Sequence, residues 1–282
     1  MTGLRAAGPL DVNDMLVVER ARLLATLADL APAEWELPTE CPAWDVKGIA
    51  LHILGDDLSL LSRQRDEAVN GLVLTALELP GADFRTLLNE FNERWVHVAR
   101  FFGTPLIIEL LRLTGDLTSE WYRRVPPDQL GEPVLFVGFD PAPYWMIAGR
   151  EYYERWVHLT QIARAIGRGV PHEAEFVVPA MAGAMRGFPQ VMKALDAPQG
   201  STLTVQVDDA AWTVQHDPTG WAVYDGRPEA PTVALSMTAP AATSVFTRGL
   251  PPDELRRAIT VTGDDDMGAI VMGGLVAMFG RQ

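Results

Sequence analysis

Glu154 and His158 stand four residues apart in the stretch Glu154-Arg155-Trp156-Val157-His158. If that stretch is helical, the two side chains share one face, a turn apart. A carboxylate and an imidazole so placed can bite one divalent ion. Alone, such a pair is more often a solvated helix face. A second stretch, Ile49-Ala50-Leu51-His52-Ile53-Leu54-Gly55, offers another donor. His52 falls within an apolar stripe of Val46, Ile49, Ile53 and Leu60. A lone histidine there is more often a hydrogen-bonded core residue than a ligand. Two histidines and one carboxylate from two helices would nonetheless make a three-donor set with an open position. That is the layout of a catalytic rather than a structural zinc site. The same donors suit iron(II), so their identity leaves the metal open.

Other residues carry chemistry less specifically. Cys41 precedes a helical pattern and could be a low-pKa thiol, although a packed role weighs more. Asp56 lies four after His52 and could accept from an imidazole N–H, or be a solvated acid. Trp145, Tyr152 and Trp156 recur at helical spacing and read as core, with Tyr152 able to wall a pocket. Arg85, Arg94 and Arg248 could each grip a carboxylate with a bidentate fork. Any one of them is more often a surface arginine. His97, His172 and His216 show no partner spacing and receive no role.

These residues need elements to position them. Residues 12–30 show apolar positions at helical spacing, and Pro32 stops the pattern. The proline-rich loop 31–44 ends at Asp45, placed to cap a second long helix. A third pattern starts near Asp83, and Thr104-Pro105 opens a fourth. The last helix of this half runs from about Pro143 to Gly167, where glycine is a natural stop. Long amphipathic helices with moderate loops suggest an up-down bundle, whose core is a common place for a metal. After residue 171 the texture changes to short alternating runs, TLTVQVD, AAWTVQHD, GWAVYDG and PTVALSMTAP, bounded by Gly, Pro and Asp. Helical pieces follow at 241–247, 252–258 and 267–279. This half reads as α+β, with an antiparallel sheet and helices on one face. The expected organisation is therefore a helical domain over 1–170 and a smaller α+β domain over 171–282.

Composition narrows the partners. The 37 acidic and 23 basic residues leave a net charge of -14. No basic cluster interrupts that average, which argues against nucleic acid and anionic membranes. One cysteine in 282 residues excludes an internal disulfide and fits a reducing compartment. The N-terminus lacks an apolar signal core. The longest apolar run, Met267 to Phe279, is too short to span a bilayer. The expected location is the cytoplasm.

The run Cys41-Pro42-Ala43-Trp44-Asp45-Val46, followed by Leu51-His52, resembles the opening "CPxW…H" signature of the mycothiol-dependent maleylpyruvate isomerase family. Glu154-x-Trp156-x-His158 resembles its second signature, "ExWxHxxD", and Asn92 to Val96 resembles a weaker family feature. Residues 172–282 are similar to the family's C-terminal domain, with marks at Ser236–Thr247, Arg248 and Ile259–Asp264. The resemblance implies a DinB-like four-helix bundle followed by a sterol-carrier-like α+β domain. It implies zinc on His52, Glu154 and His158, mycothiol as the thiol cosubstrate, and an electrophilic small molecule as substrate. It also points to Arg248 as a functional arginine. Arg85 and Arg248 are the candidates for holding the thiol cofactor, and Arg248 and Gln161 for acting at the reacting centre. One position departs from the pattern: the second signature ends in Asp, and this chain has Gln161. Glutamine keeps hydrogen bonding but carries no charge and cannot act as a base at neutral pH. That departure tilts the expectation from isomerisation toward thiol transfer or exchange. The rival class is a non-catalytic ligand-binding or regulatory protein on the same fold.

Overall fold

The computed structural model describes residues 3–281. In chain order the elements are β1 (Arg5–Ala6), α1 (Asn13–Ala28), α2 (Val46–Leu60), α3 (Gly71–Glu78), α4 (Phe84–Ala99), α5 (Thr104–Arg124) and α6 (Tyr144–Ala165). There follow α7 (Ala174–Met185), α8 (Phe188–Met192), β2 (Thr202–Val207), β3 (Ala210–Asp217), β4 (Gly220–Asp225) and β5 (Val233–Met237). The chain closes with α9 (Ala239–Phe246), α10 (Pro252–Ala258), β6 (Thr260–Gly263) and α11 (Asp265–Phe279). A helical N-terminal region thus precedes a mixed sheet with helices.

The helix starts follow local chemistry. The Asp45 carboxylate accepts from the Gly48 N–H at 2.7 Å and caps α2. Asp83 does the same for α4, taking the Thr86 N–H at 2.8 Å. Each satisfies a first-turn donor that has no partner within its helix. Pro105 sits in the first turn of α5, where no N–H is needed. Just beyond α6, Gly167 adopts φ 73°, the left-handed conformation that ends helices. The second helix is shorter than its apolar pattern suggests. It gives way to a π-helical turn at Leu61–Arg65 and then to the separate α3.

Contacts group the chain into two compact units that interleave along the sequence. One holds Asn13–Pro126 and Gln161–Gly169. In it α1 and α2 both pack on α5, and α4 packs on α2. Leu16, Leu23, Ile49, Leu54, Ile107 and Leu111 are fully buried there. So is an ion pair. Arg20 Nη1 donates to Asp57 Oδ2 at 2.7 Å, Nη2 donates to Oδ1 at 3.1 Å, and the Thr114 hydroxyl adds a bond to Oδ2 at 2.6 Å. Arg20 Nη1 also reaches the Leu111 carbonyl at 2.6 Å. Gly115 makes room for this: a Cβ there would lie 2.7 Å from Arg20 Cγ.

The other unit holds the residues up to Val12, Pro127–Thr160 and Val170 onward. Its sheet runs β1-β4-β3-β2-β5-β6. The expectation of a wholly antiparallel sheet is corrected at one pair, since β2 and β5 run parallel. β1 occupies the outer edge of β4, pairing Arg5 with Asp225, and β5 joins beyond β2 instead of folding back on β4 as a hairpin. The connection 226–232 carries Pro228 and Pro231, which suit a crossover rather than a tight turn. No helix among the described residues is long and apolar enough to cross a membrane.

Candidate functional site

Helix α6 carries the second signature, and hydrogen bonds from three aromatic residues fix its rotation. The Tyr152 hydroxyl donates to the Phe176 carbonyl at 2.9 Å, and Tyr153 to the Phe246 carbonyl at 2.6 Å. The Trp156 indole N–H donates to the Pro171 carbonyl at 3.1 Å. Tyr152 and Trp156 are fully buried, as the aromatic stripe predicts. Helical periodicity then turns Glu154 and His158 to a different face. There His158 Nε2 lies 3.8 Å from Glu154 Oε2. The imidazole is largely buried, at 12% exposure, and the carboxylate is more open, at 41%.

Glu154 borders a cavity of about 560 Å³ formed within this unit. Arg150, Tyr153 and Arg248 line the same space, and most of its remaining wall is apolar. The structure therefore brings Glu154 and Arg248 to one chamber, although they are distant in sequence. Arg248 reaches it from the end of α9. Its N–H bonds the Val245 carbonyl at 3.2 Å, and the Gly249 N–H bonds the Ser244 carbonyl at 2.8 Å. This helix-ending turn puts Arg248 at φ 58°, a position where glycine is normal. A non-glycine side chain held there carries a conformational cost. Among the described residues the Arg248 guanidinium has no hydrogen-bond or carboxylate partner, and it is exposed. Burial pushes the Tyr153 phenol well above its ordinary pKa, the Glu154 charge adds to that, and Arg248 opposes it. Tyr153 thus stays a neutral donor, bound to the α9 end beside Arg248.

His52 sits half-buried on α2, in the helical unit, stacked on Trp44 with centroids 4.6 Å apart and planes at 28°. The first-signature loop builds this stack. The Thr39 hydroxyl accepts from the Cys41 N–H at 3.1 Å and donates to the Trp44 carbonyl at 2.7 Å. Gly48 allows the indole to lie close, since a Cβ there would meet Trp44 Cβ at 2.8 Å. Trp95 donates to the Leu51 carbonyl at 2.7 Å across Gly55, where a Cβ would strike its ring. Glu40 of the loop is gripped by Arg164, near the end of α6, with Nε to Oε1 at 2.7 Å. Cys41 and Asp56 are half-buried.

The remaining candidates lie elsewhere. Gln161 is buried on α6, one turn past His158, and engages other groups there. Arg85 is exposed on α4, and Arg94 is held by Glu78 and Glu90. Sequence reasoning missed Tyr153 and Arg150. Their signal was their position on α6 beside Glu154. As a metal half-site, Glu154 and His158 are suitable: two donors on one tetrahedral ion stand about 3.3 Å apart, and these are 3.8 Å apart. Among the described residues, no group of three or more His, Cys, Asp or Glu is arranged to hold an ion.

Comparison with known proteins agrees with the motifs. The chain is similar in fold to a solved mycothiol-dependent maleylpyruvate isomerase, with 9% identity, TM-score 0.54, and coverage of 89% of this chain and 91% of that one. It is similarly related to a histidine-to-alanine mutant of such an isomerase, at 10% identity and TM-score 0.52, with the same coverage. Comparison with curated proteins returns no match. The model of the mycothiol maleylpyruvate isomerase N-terminal domain matches residues 16–163, more than half of the chain. By that match, the chain belongs to the mycothiol maleylpyruvate isomerase N-terminal domain family.

Proposed function

We propose that this protein is a metal-dependent, mycothiol-using enzyme that joins or exchanges a thiol on an electrophilic small molecule. The observation that carries the reading is the meeting of Glu154, paired with His158, and the uncommitted Arg248 at one cavity. Family membership supports it. His52, Glu154 and His158 are the proposed donors to a divalent ion, zinc ahead of iron(II). When bound, such an ion lowers the pKa of a coordinated thiol, which makes thiolate available at neutral pH.

The chain's own residues do the rest. Arg248 holds an anionic group of a substrate with its planar fork. Tyr153, bound to the Phe246 carbonyl, keeps α6 and the α9 end together at that wall. Gln161 supplies neutral hydrogen bonding where the family signature has an acid, which favours transfer or exchange over isomerisation. Arg85, exposed on α4, remains a proposed contact for the thiol. A single cysteine fits action in the reducing cytoplasm.

The test is purification without added metal, elemental analysis, and incubation with mycothiol plus maleylpyruvate or a panel of electrophiles and thiol conjugates. About one divalent ion per chain is expected, together with thiol-dependent product. His158→Ala should lose both while far-UV circular dichroism stays unchanged. Metal and full activity retained in that variant would overturn the donor assignment. Rapid formation of fumarylpyruvate with mycothiol regenerated would restore the isomerase. A second reading is a ligand-binding module without turnover, supported by the largely apolar wall of the cavity. Ligand binding without metal or thiol-dependent reaction would establish it.

A further inference from the structure

The cavity beside Glu154 differs from what a small dianion needs. Its volume of about 560 Å³ falls in the range that encloses drug-sized ligands. Phe188, Met192, Leu203, Val271, Leu275 and Phe279 line it, from α8, β2 and α11. Val191, Ile270 and Met278 also border it and remain 48%, 59% and 41% exposed. Large apolar side chains left wet around a chamber gain when an apolar body displaces the water. A short dicarboxylate would leave most of that wall bare.

The charges limit the ligand further. Among the described residues, four charged side chains border the cavity: Arg150, Glu154, Asp196 and Arg248. Arg150 is already paired with buried Glu151. That leaves one uncommitted cation against two carboxylates. In the metal-free protein one anionic group is accommodated, and a second would meet Glu154 or Asp196 without a counter-charge.

We propose that the cavity takes a monocarboxylate with a bulky apolar body, its carboxylate on Arg248 and its body against α8 and α11. This rests on the functional reading only in treating that ligand as the electrophile; the binding itself needs neither metal nor thiol. Helix α11 also supplies a clean way to close the chamber. Gly274 borders it, and a Cβ built there meets nothing within 4 Å. A larger side chain at this position therefore enters open space instead of displacing backbone.

The experiment is calorimetric titration of chelator-treated full-length protein with decanoate, decanol and maleate. Decanoate should bind, with decanol and maleate each weaker by about tenfold or more. Arg248→Gln should weaken decanoate by about tenfold and leave decanol unchanged. Gly274→Phe should abolish decanoate binding, while Gly274→Ala binds like the parent, and thermal melts report that both variants are folded. Maleate binding as tightly as decanoate would overturn the proposal. So would undiminished decanoate binding in folded Gly274→Phe. Should Gly274→Phe misfold, Val271→Trp serves as the second cavity-filling variant, judged by the same two outcomes. His158→Ala separates the two readings. Loss of thiol-dependent turnover with decanoate binding intact leaves this inference standing, and decanoate failing to bind an active, metal-loaded parent removes it alone.

Discussion

At the scale of single residues, Arg248 shows function and stability pulling apart. A non-glycine residue at φ 58° is conformationally disfavoured, and glycine there would relax the turn. Arg248→Gly should therefore not destabilise the protein, and should raise its unfolding free energy by up to about 1 kcal/mol. The same change should abolish recognition of an anionic substrate. Denaturant unfolding and a KM measurement on one preparation check both signs; a variant that loses stability would show that the side chain packs rather than binds. Glu154 and His158 were legible early because helical spacing alone brings them together, and they do stand 3.8 Å apart. Arg248 was legible only through resemblance, since nothing local ties it to α6. Tyr153 was overlooked because its task, donating to the Phe246 carbonyl, depends on a residue far along the chain.

At the scale of elements, a buried ion pair links α1 to α2 within the helical unit. Asp57 is 1% exposed, and Arg20 is 4% exposed. Asp57→Ala would leave the guanidinium buried without its counter-charge, and should cost about 3–5 kcal/mol in urea unfolding. A loss below about 1 kcal/mol would show that water reaches the site. The neighbouring Asp56 drew attention in the sequence because it follows His52 by one turn. Asp57 did not, because its partners come from α1 and α5 and no spacing rule links them. Caps and periodicity made most helices readable, whereas the parallel β2–β5 pair was not. That pairing joins β2 to a strand beyond β3 and β4 in sequence, which no hairpin pattern signals. A second ion pair is exposed and pH-dependent. The Arg168 guanidinium beside Glu34, helped by the Ala31 N–H, lowers the carboxyl from 4.5 to about 2. A depressed carboxylate stabilises the fold above its unfolded pKa, and that contribution fades as pH falls from about 4.5 toward 2. Glu34→Gln should thus lower the melting temperature by at most a few degrees at neutral pH. The gap should close across that acidic window, and a gap that persists at the acid end would exclude the ion pair as its source.

At the scale of the molecule, apolar cores in both units should hold without any ion. A chain of 282 residues buries enough surface for that. Chelation should therefore abolish thiol-dependent activity while leaving circular dichroism and the main melting transition in place; global unfolding on chelation would mean that the ion is structural. The units interleave, so sequence neighbours are not always structural neighbours. The clearest case is β1, whose Arg5 pairs with Asp225 and is held to it at 3.1 Å across 220 positions. During synthesis at about 5–20 residues per second, this strand waits roughly 10–45 s for its partner to exist. Throughout that interval its backbone donors and acceptors have no ladder to join. A ribosome stalled before residue 220 holds a chain whose earliest strand is still unplaced, and placing it is a late event in the making of this protein.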